Sequence, residues 1–289
     1  MRQWILAFRP KTLTAALVPI IAATSLAYAL LFPLQMWISW LALLSSIFIQ
    51  IGTNLVNDAV DFKKGADTDT RIGPRRVTQA GVFSAKKVMA VGSLFFFAAL
   101  LCGIPLVLVG GTPILLIGAA SILCGYAYTA GPFPLAYKGL GDLFVILFFG
   151  LIAVGGLFYL LTGIYSMEAL VLGFQIGFHC TVLIAVNNLR DVHTDRLAHK
   201  KTLSVRFGIP FARYEIAFLC LAPFALNLFW WHLGIWKAAA LPLLCLPLAA
   251  KIIKLVFKTE PSPEYNKFLV KAATLQLLFG VLISVGFLL

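Results

Sequence analysis

Apolar stretches recur along the entire chain, broken only by short polar pieces. Nine approach membrane length: residues 13–32, 36–56, 88–109, 113–128, 143–161, 169–186, 214–231, 236–257 and 268–289. A helix crossing a bilayer needs about 20 mostly apolar residues, and Pro or Gly within such a run is tolerated where neighbouring helices take up the freed backbone groups. The pattern therefore predicts an all-α fold, a polytopic membrane bundle of nine transmembrane helices. Recurrence over the whole length excludes a soluble protein with one tail anchor. No polar linker divides the chain, so residues 1–289 read as a single domain. Arg2, Arg9 and Lys11 ahead of the first run suit a retained first helix better than a cleaved leader.

Charge orients this bundle. The N-terminus and residues 57–87, 129–142, 187–213 and 258–267 carry the Lys and Arg of the polar pieces. Residues 33–35, 110–112, 162–168, 232–235 and the C-terminus carry none. This positive-inside asymmetry predicts an N-terminus and long loops in the cytoplasm and a C-terminus outside. At 61% hydrophobic and 12% charged, the composition is far from a soluble domain, which carries about 25% charged residues. The net charge of +12 follows from topology, and no nucleic-acid partner is needed to explain it.

Against this shortage of charge, the acids are concentrated. Of 11 Asp and Glu, four fall in "NLVNDAVDFKKGADTDTRIGPRR", residues 54–76: Asp58, Asp61, Asp67 and Asp69. A second block, "NNLRDVHTDRLAHKKTLSVRFG" at 187–208, brings Asp191 and Asp195. The spacing Asn54-x-x-x-Asp58 returns as Asn187-x-x-x-Asp191. Each is followed one helical turn later by another carboxylate, Asp61 or Asp195, on the same helix face. Cations follow in both blocks: Arg71, Arg75 and Arg76 in one, Lys200, Lys201 and Arg206 in the other. Segments 54–69 and 187–202 thus look like quasi-repeated halves of one site.

The residue types suggest the chemistry. Mg²⁺ is typically held by one or two carboxylates plus substrate phosphate oxygens, and Lys and Arg neutralise the remaining phosphate charge. Acids for metal and bases for phosphate at a membrane surface imply a diphosphate with a lipid tail. Its departure from an allylic carbon is eased when cations stabilise the leaving oxygens. One such loop could be solvated salt bridges; two matched ones at the ends of apolar helices point to a site. A divalent-cation transporter would place acids near the midplane on broken helices, whereas here they gather at one face. The five cysteines lie in apolar runs without CxxC spacing and read as packing residues.

These blocks resemble the signatures of the UbiA superfamily of intramembrane prenyltransferases, with "NDAVD" as its NDxxD motif and "DVHTD" as its DxxxD motif. "RPKTL" (9–13), "GADTDTRIGPRRVTQAG" (65–81), "GPFPLAYKGLGD" (131–142) and "NNLRD…TD…KKTLSVRFG" (187–208) are most similar to the 1,4-dihydroxy-2-naphthoate polyprenyltransferases of menaquinone biosynthesis. The resemblance implies nine helices in a bacterial inner membrane, cytoplasmic loops forming helical caps over an active site that faces the cytoplasm, and Mg²⁺ as cofactor. It implies polyprenyl diphosphate and dihydroxynaphthoate as substrates, with loss of CO₂.

Residue by residue, the resemblance implies Asp58, Asp61, Asp67, Asp191 and Asp195 at the metal, oriented by Asn54, Asn57 and Asn187. Arg71, Arg75, Lys138, Lys200 and Lys201 would hold the diphosphate, and Arg9 the acceptor's carboxylate. Tyr126 and Tyr128 would offer aromatic faces to developing positive charge. Three positions depart from the family pattern: Gly65 occupies the third acid position, leaving that role to Asp67; His199 stands where Gly is expected; and Ala130 stands where Gly is common. Phe95, Phe96, Phe97, Phe148 and Phe149 read as packing or lipid-facing residues. A sister enzyme using 4-hydroxybenzoate or homogentisate is the alternative, and prenyl length and oligomeric state are left open.

Overall fold

The computed structural model describes residues 2–65, 72–73, 76–132 and 134–289, with the backbone alone for Arg2 and Lys11. Asp67, Asp69, Arg71 and Arg75 lie outside the described residues. The described chain is helical, with no strand among the described residues. The helices are α1 (Arg2–Phe8), α2 (Thr14–Ala29), α3 (Met36–Lys63), α4 (Ala85–Ala127), α5 (Gly141–Val145), α6 (Ala153–Thr162), α7 (Met167–Arg190), α8 (Val192–Leu197), α9 (Leu203–Ala225), α10 (Asn227–His232), α11 (Trp236–Ala240), α12 (Leu246–Lys258) and α13 (Tyr265–Leu288). A π-helical stretch, Ile146–Ile152, joins α5 to α6.

Seven helical segments among the described residues are long and apolar enough to cross a membrane. The difference from nine runs arises at two places. Runs 88–109 and 113–128 both fall in α4, whose 43 residues make about 65 Å of helix, twice a hydrocarbon core of about 30 Å. It breaks at Gly111, where φ is 65° and ψ −152°, a conformation open to a residue without Cβ. Pro113 then removes a backbone donor. The run 13–32 yields α2, whose 16 residues span only about 24 Å.

Helix α7 is the central post. Leu172, Ile176, Val182, Val186 and Leu189 have no exposed surface, and α7 packs against α2, α6, α9, α13 and the π-helical stretch. That last contact is backbone to backbone: a Cβ on Gly150 would lie 2.3 Å from the Gly173 carbonyl oxygen and 2.8 Å from the Gly177 Cα. Close approach through small residues is how helices associate where lipid removes the hydrophobic drive. The outward face of α4 keeps Leu94, Phe97, Leu101, Leu108, Leu116 and Leu123 exposed, as a lipid-facing helix would.

Candidate active site

Helix α3 ends at Lys63 and α7 at Arg190, and both ends open on one cavity of about 1230 Å³. Asp58 and Asp61 from the first block and Asp191 and Asp195 from the second line its head, with Asn54, Asn57 and Asn187. Arg9, Arg76, Arg190 and Lys200 add positive charge there. Deeper in, the lining turns apolar, with Ala42, Leu106, Ile114, Phe148, Phe149 and Leu160. From Asp61 to Ala42 the wall follows α3 for about 28 Å, nearly the thickness of a hydrocarbon core.

Buried carboxylates need partners, and each half provides them differently. The Tyr137 hydroxyl donates to Asp61 Oδ1 at 2.9 Å, and Arg76 Nη1 donates to Asp61 Oδ2 at 2.8 Å and to the Asn57 carbonyl at 2.9 Å. The Thr78 hydroxyl donates to Asp58 Oδ1, and the Thr129 hydroxyl to Asn57 Oδ1. Asn54 Nδ2 donates to the Phe8 carbonyl at 3.2 Å and to Thr12 Oγ1 at 3.1 Å, fastening α3 to the corner between α1 and α2. At that corner Arg9 adopts a left-handed backbone with φ of 53°, a strained conformation of the kind that collects at functional sites.

In the second half, Arg190 is 1% exposed and forks onto Asp191, Nε to Oδ1 at 2.8 Å and Nη2 to Oδ2 at 2.6 Å. Its remaining donors reach Asn187 Oδ1 at 2.8 Å and Asn266 Oδ1 at 2.7 Å. Asn266 Nδ2 in turn donates to the Ile72 carbonyl at 3.3 Å, so this network touches the loop of the first half. Lys200 joins the halves directly: its Nζ lies 3.9 Å from Asp61 Oδ2 and 3.8 Å from Asp195 Oδ1. The Tyr137 ring is held between two ammonium groups, Lys64 at 4.7 Å and Lys200 at 5.0 Å from its centroid, an attraction to the ring quadrupole.

Burial pushes the Asp195 carboxyl up to about 6; Lys200 opposes the shift, and Asp191 and Asp61 reinforce it. Burial, and next the charge of Asp142, push the Tyr128 phenol up. Among the described residues no group of three or more His, Cys, Asp or Glu could hold a metal ion. The carboxylates form an all-oxygen set split between two halves, with a lysine between them. Such a set fits Mg²⁺, which takes much of its shell from phosphate and water rather than from an all-protein cage.

Not every sequence-derived candidate faces the cavity. Tyr128 lines it; Tyr126 is 44% exposed and lies outside the lining. Lys138 and Lys201 are exposed and also outside it. Their backbones instead join the 131–142 segment to the second polar block: the Lys138 carbonyl accepts from Arg206 Nη2 at 2.8 Å, and the Lys201 N–H donates to the Tyr137 carbonyl at 3.0 Å. Phe148 and Phe149, expected to pack or face lipid, both line the cavity. The π-helical stretch that carries them is of the kind enriched at functional sites. His199 adopts φ of 55°, which is why glycine is the natural residue there.

Tyr137, Thr78, Thr129 and Asn266 were not legible in the sequence, and Arg190 was signalled only by standing next to Asp191.

The model of the UbiA prenyltransferase family matches residues 16–278. The 1,4-dihydroxy-2-naphthoate octaprenyltransferase of Haemophilus influenzae is 34% identical over 309 residues, covering 100% of this chain and 96% of its own. The enzyme of the same name from Escherichia coli is 34% identical over 301 residues, covering 99% and 94%. Among solved structures, a UbiA homolog from Aeropyrum pernix K1 is similar with a TM-score of 0.68 at 16% identity, over 96% of each chain. A UbiA homolog from Archaeoglobus fulgidus bound to DMAPP and Mg²⁺ gives 0.63 at 16% identity, over 98% of this chain and 99% of its own. At such identities the structures speak for the fold, and the sequence relatives for the family. Matched almost from end to end, this chain belongs to the UbiA prenyltransferase family and is a prenyltransferase.

Proposed function

We propose that the chain transfers a polyprenyl group from its diphosphate to 1,4-dihydroxy-2-naphthoate, with Mg²⁺ as cofactor and loss of CO₂. The observation that carries this reading is one cavity that follows α3 for about 28 Å, with a charged head and an apolar body. A diphosphate matches the head, and a long tail matches the body. The acceptor is argued from relatives named 1,4-dihydroxy-2-naphthoate octaprenyltransferase. The setting is a bacterial inner membrane with the site on the cytoplasmic side, N-terminus in and C-terminus out. In this reading α2 counts as a short span and α4 as two across Gly111, giving nine in a single domain.

Asp58, Asp61, Asp191 and Asp195 would hold Mg²⁺, with Asp67 as a further candidate. When bound, the metal would stabilise charge building on the leaving diphosphate oxygens. Lys200 and Arg76 line the same head and neutralise phosphate charge, with Arg71 and Arg75 as further candidates. The allylic C–O bond breaks with its electron pair going to the diphosphate. Tyr128 and the apolar walls face the resulting cation and exclude water that would capture it. The ring carbon bearing the carboxylate forms the new C–C bond. Departure of CO₂ returns its bonding pair to the ring, so no proton has to be removed. Arg9 orients that carboxylate beforehand. Lys138, Lys201 and Tyr126, outside the cavity lining, have no direct part in this scheme.

Product analysis by mass spectrometry tests it, using purified protein with Mg²⁺, a polyprenyl diphosphate, and dihydroxynaphthoate or 4-hydroxybenzoate in parallel. The expected product is a decarboxylated prenyl naphthol that needs Mg²⁺ and is lost in Asp191→Asn. Product from hydroxybenzoate alone would overturn the acceptor.

A further inference from the structure

Helix α12 has two unlike faces. Ala249, Ile252 and Val256 have no exposed surface and lie on a helix packed against α9 and α13. Lys251, Lys254 and Lys258 are exposed. At 3.6 residues per turn the three fall within a sector of about 60°. All three belong to Trp236–Lys258, a segment long and apolar enough to cross a membrane. Lys251 and Lys254 therefore escape any count of loop charges. Among the described residues none of the three side chains makes an ion pair or hydrogen bond; nearby, Arg213 of α9 pairs with Glu260 at 2.8 Å.

Unpaired charge on a membrane-crossing helix is costly, and lysine relieves the cost by stretching its ammonium toward the interface. From Lys258 to Lys251 the helix descends about 10 Å, somewhat more than the 5–8 Å or so of headgroup zone in one leaflet. With stems bent upward, the three ammonium groups reach the level of lipid phosphates, while the stem and backbone of Lys251 stay below it among the acyl chains. Aromatic rings border the ladder: Tyr214, 68% exposed, meets Phe257 edge-on at 5.3 Å between centroids. Such rings mark membrane interfaces.

We propose that Lys251, Lys254 and Lys258 form a docking ladder for the headgroup of an anionic phospholipid, which fastens α12 and α13 at the carboxylate end of the bundle. The connection is short. Helix α13 carries Asn266 two residues into its sequence range, and Asn266 accepts a hydrogen bond from Arg190, whose fork holds Asp191. The inference rests on Trp236–Lys258 crossing a membrane, and the identity of the acceptor has no bearing on it.

The test uses the full chain in a neutral detergent, titrated separately with phosphatidylglycerol, phosphatidylcholine and soluble glycerol 3-phosphate. Retained lipid is counted by native mass spectrometry and the unfolding temperature is followed. Phosphatidylglycerol alone should be retained and should raise the unfolding temperature. Each lysine near an anionic lipid contributes about fivefold in affinity, so K251Q/K254Q should weaken retention roughly 30-fold. K86Q/K87Q removes two exposed lysines from α4 at the same end and should stay within about twofold of wild type. Equal losses in the two variants would mean diffuse attraction and overturn the ladder. Undiminished retention in K251Q/K254Q, or equal stabilisation by glycerol 3-phosphate, would do the same. Wild type gives a test free of any folding defect: about 1 M salt should abolish most of the phosphatidylglycerol effect, and an effect indifferent to salt refutes the proposal.

Discussion

Replacing Tyr137 by Phe removes one hydroxyl and leaves the ring in place between Lys64 and Lys200. The lost bond is the 2.9 Å donation to Asp61 Oδ1. A hydrogen bond to a charged group is worth about 1.5–3 kcal/mol. Asp61 is 2% exposed, so bulk water cannot replace the donor, although water in the cavity can do so in part. The expected cost is therefore near the middle of that range, about 2 kcal/mol, or roughly 30-fold in an equilibrium. If the hydroxyl sets the direction in which Asp61 offers its oxygens, the apparent Mg²⁺ affinity in a product-formation assay should fall by about that factor. Y137L should go further, because it also removes two cation–π contacts worth about 0.5–2 kcal/mol each. The assay is a Mg²⁺ titration of product formation with thermal unfolding measured alongside. Wild-type Mg²⁺ dependence in Y137F beside an impaired Y137L would assign the role to the ring alone. Wild-type behaviour in both would refute the reasoning.

Arg190→Gln leaves a part-buried Asp191 without its fork, a loss of about 1.5–3 kcal/mol, and should lower the unfolding temperature by about 5 °C. R190M/D191N, which removes both charges, should recover most of that stability without recovering product formation. With the Asp195 carboxyl raised to about 6 by burial, Mg²⁺ must displace a proton below that pH and none above it. Metal affinity should thus be flat above about pH 7 and fall up to tenfold per unit below about 6, and Asp195→Asn should remove this dependence; a flat wild-type titration from pH 5 to 7.5 would contradict it. Gly150→Ala forces a Cβ to 2.3 Å from the Gly173 carbonyl oxygen, so α7 and the π-helical stretch must separate; overpacking of this kind costs about 1–3 kcal/mol in thermal or denaturant unfolding. Gly118 lines the cavity with nothing within 4 Å of a built Cβ, about 15 Å along α4 from Tyr128. Gly118→Phe should fold normally, cut kcat/KM for long polyprenyl diphosphates at least tenfold and spare dimethylallyl diphosphate; equal losses for both would remove this wall from the tail's path.

The pattern of apolar runs alone determined a helical membrane protein, because the length and polarity needed to cross hydrocarbon are properties of contiguous residues. The Asp blocks were legible for the same reason: Asn54, Asp58 and Asp61 share one helix end, as do Asn187, Asp191 and Asp195 across α7 and α8. The apolar character of a run does not say how its helix packs or where it breaks. The split of α4 at Gly111 and the short α2 therefore became visible only with backbone geometry, as did the facing of Phe148 and Phe149 into the cavity. Tertiary structure alone decided what each carboxylate touches. Tyr137 reaches Asp61 across 76 positions of sequence and Asn266 reaches Ile72 across 194, distances over which no periodicity or spacing carries information. It also separated lysines that look alike in the sequence. Lys200 lines the cavity between two carboxylates while Lys201, its neighbour, points away. Helix geometry fixes which residues share a turn, but only the packing of distant segments brings a charge within 4 Å of its partner and shields the pair from water.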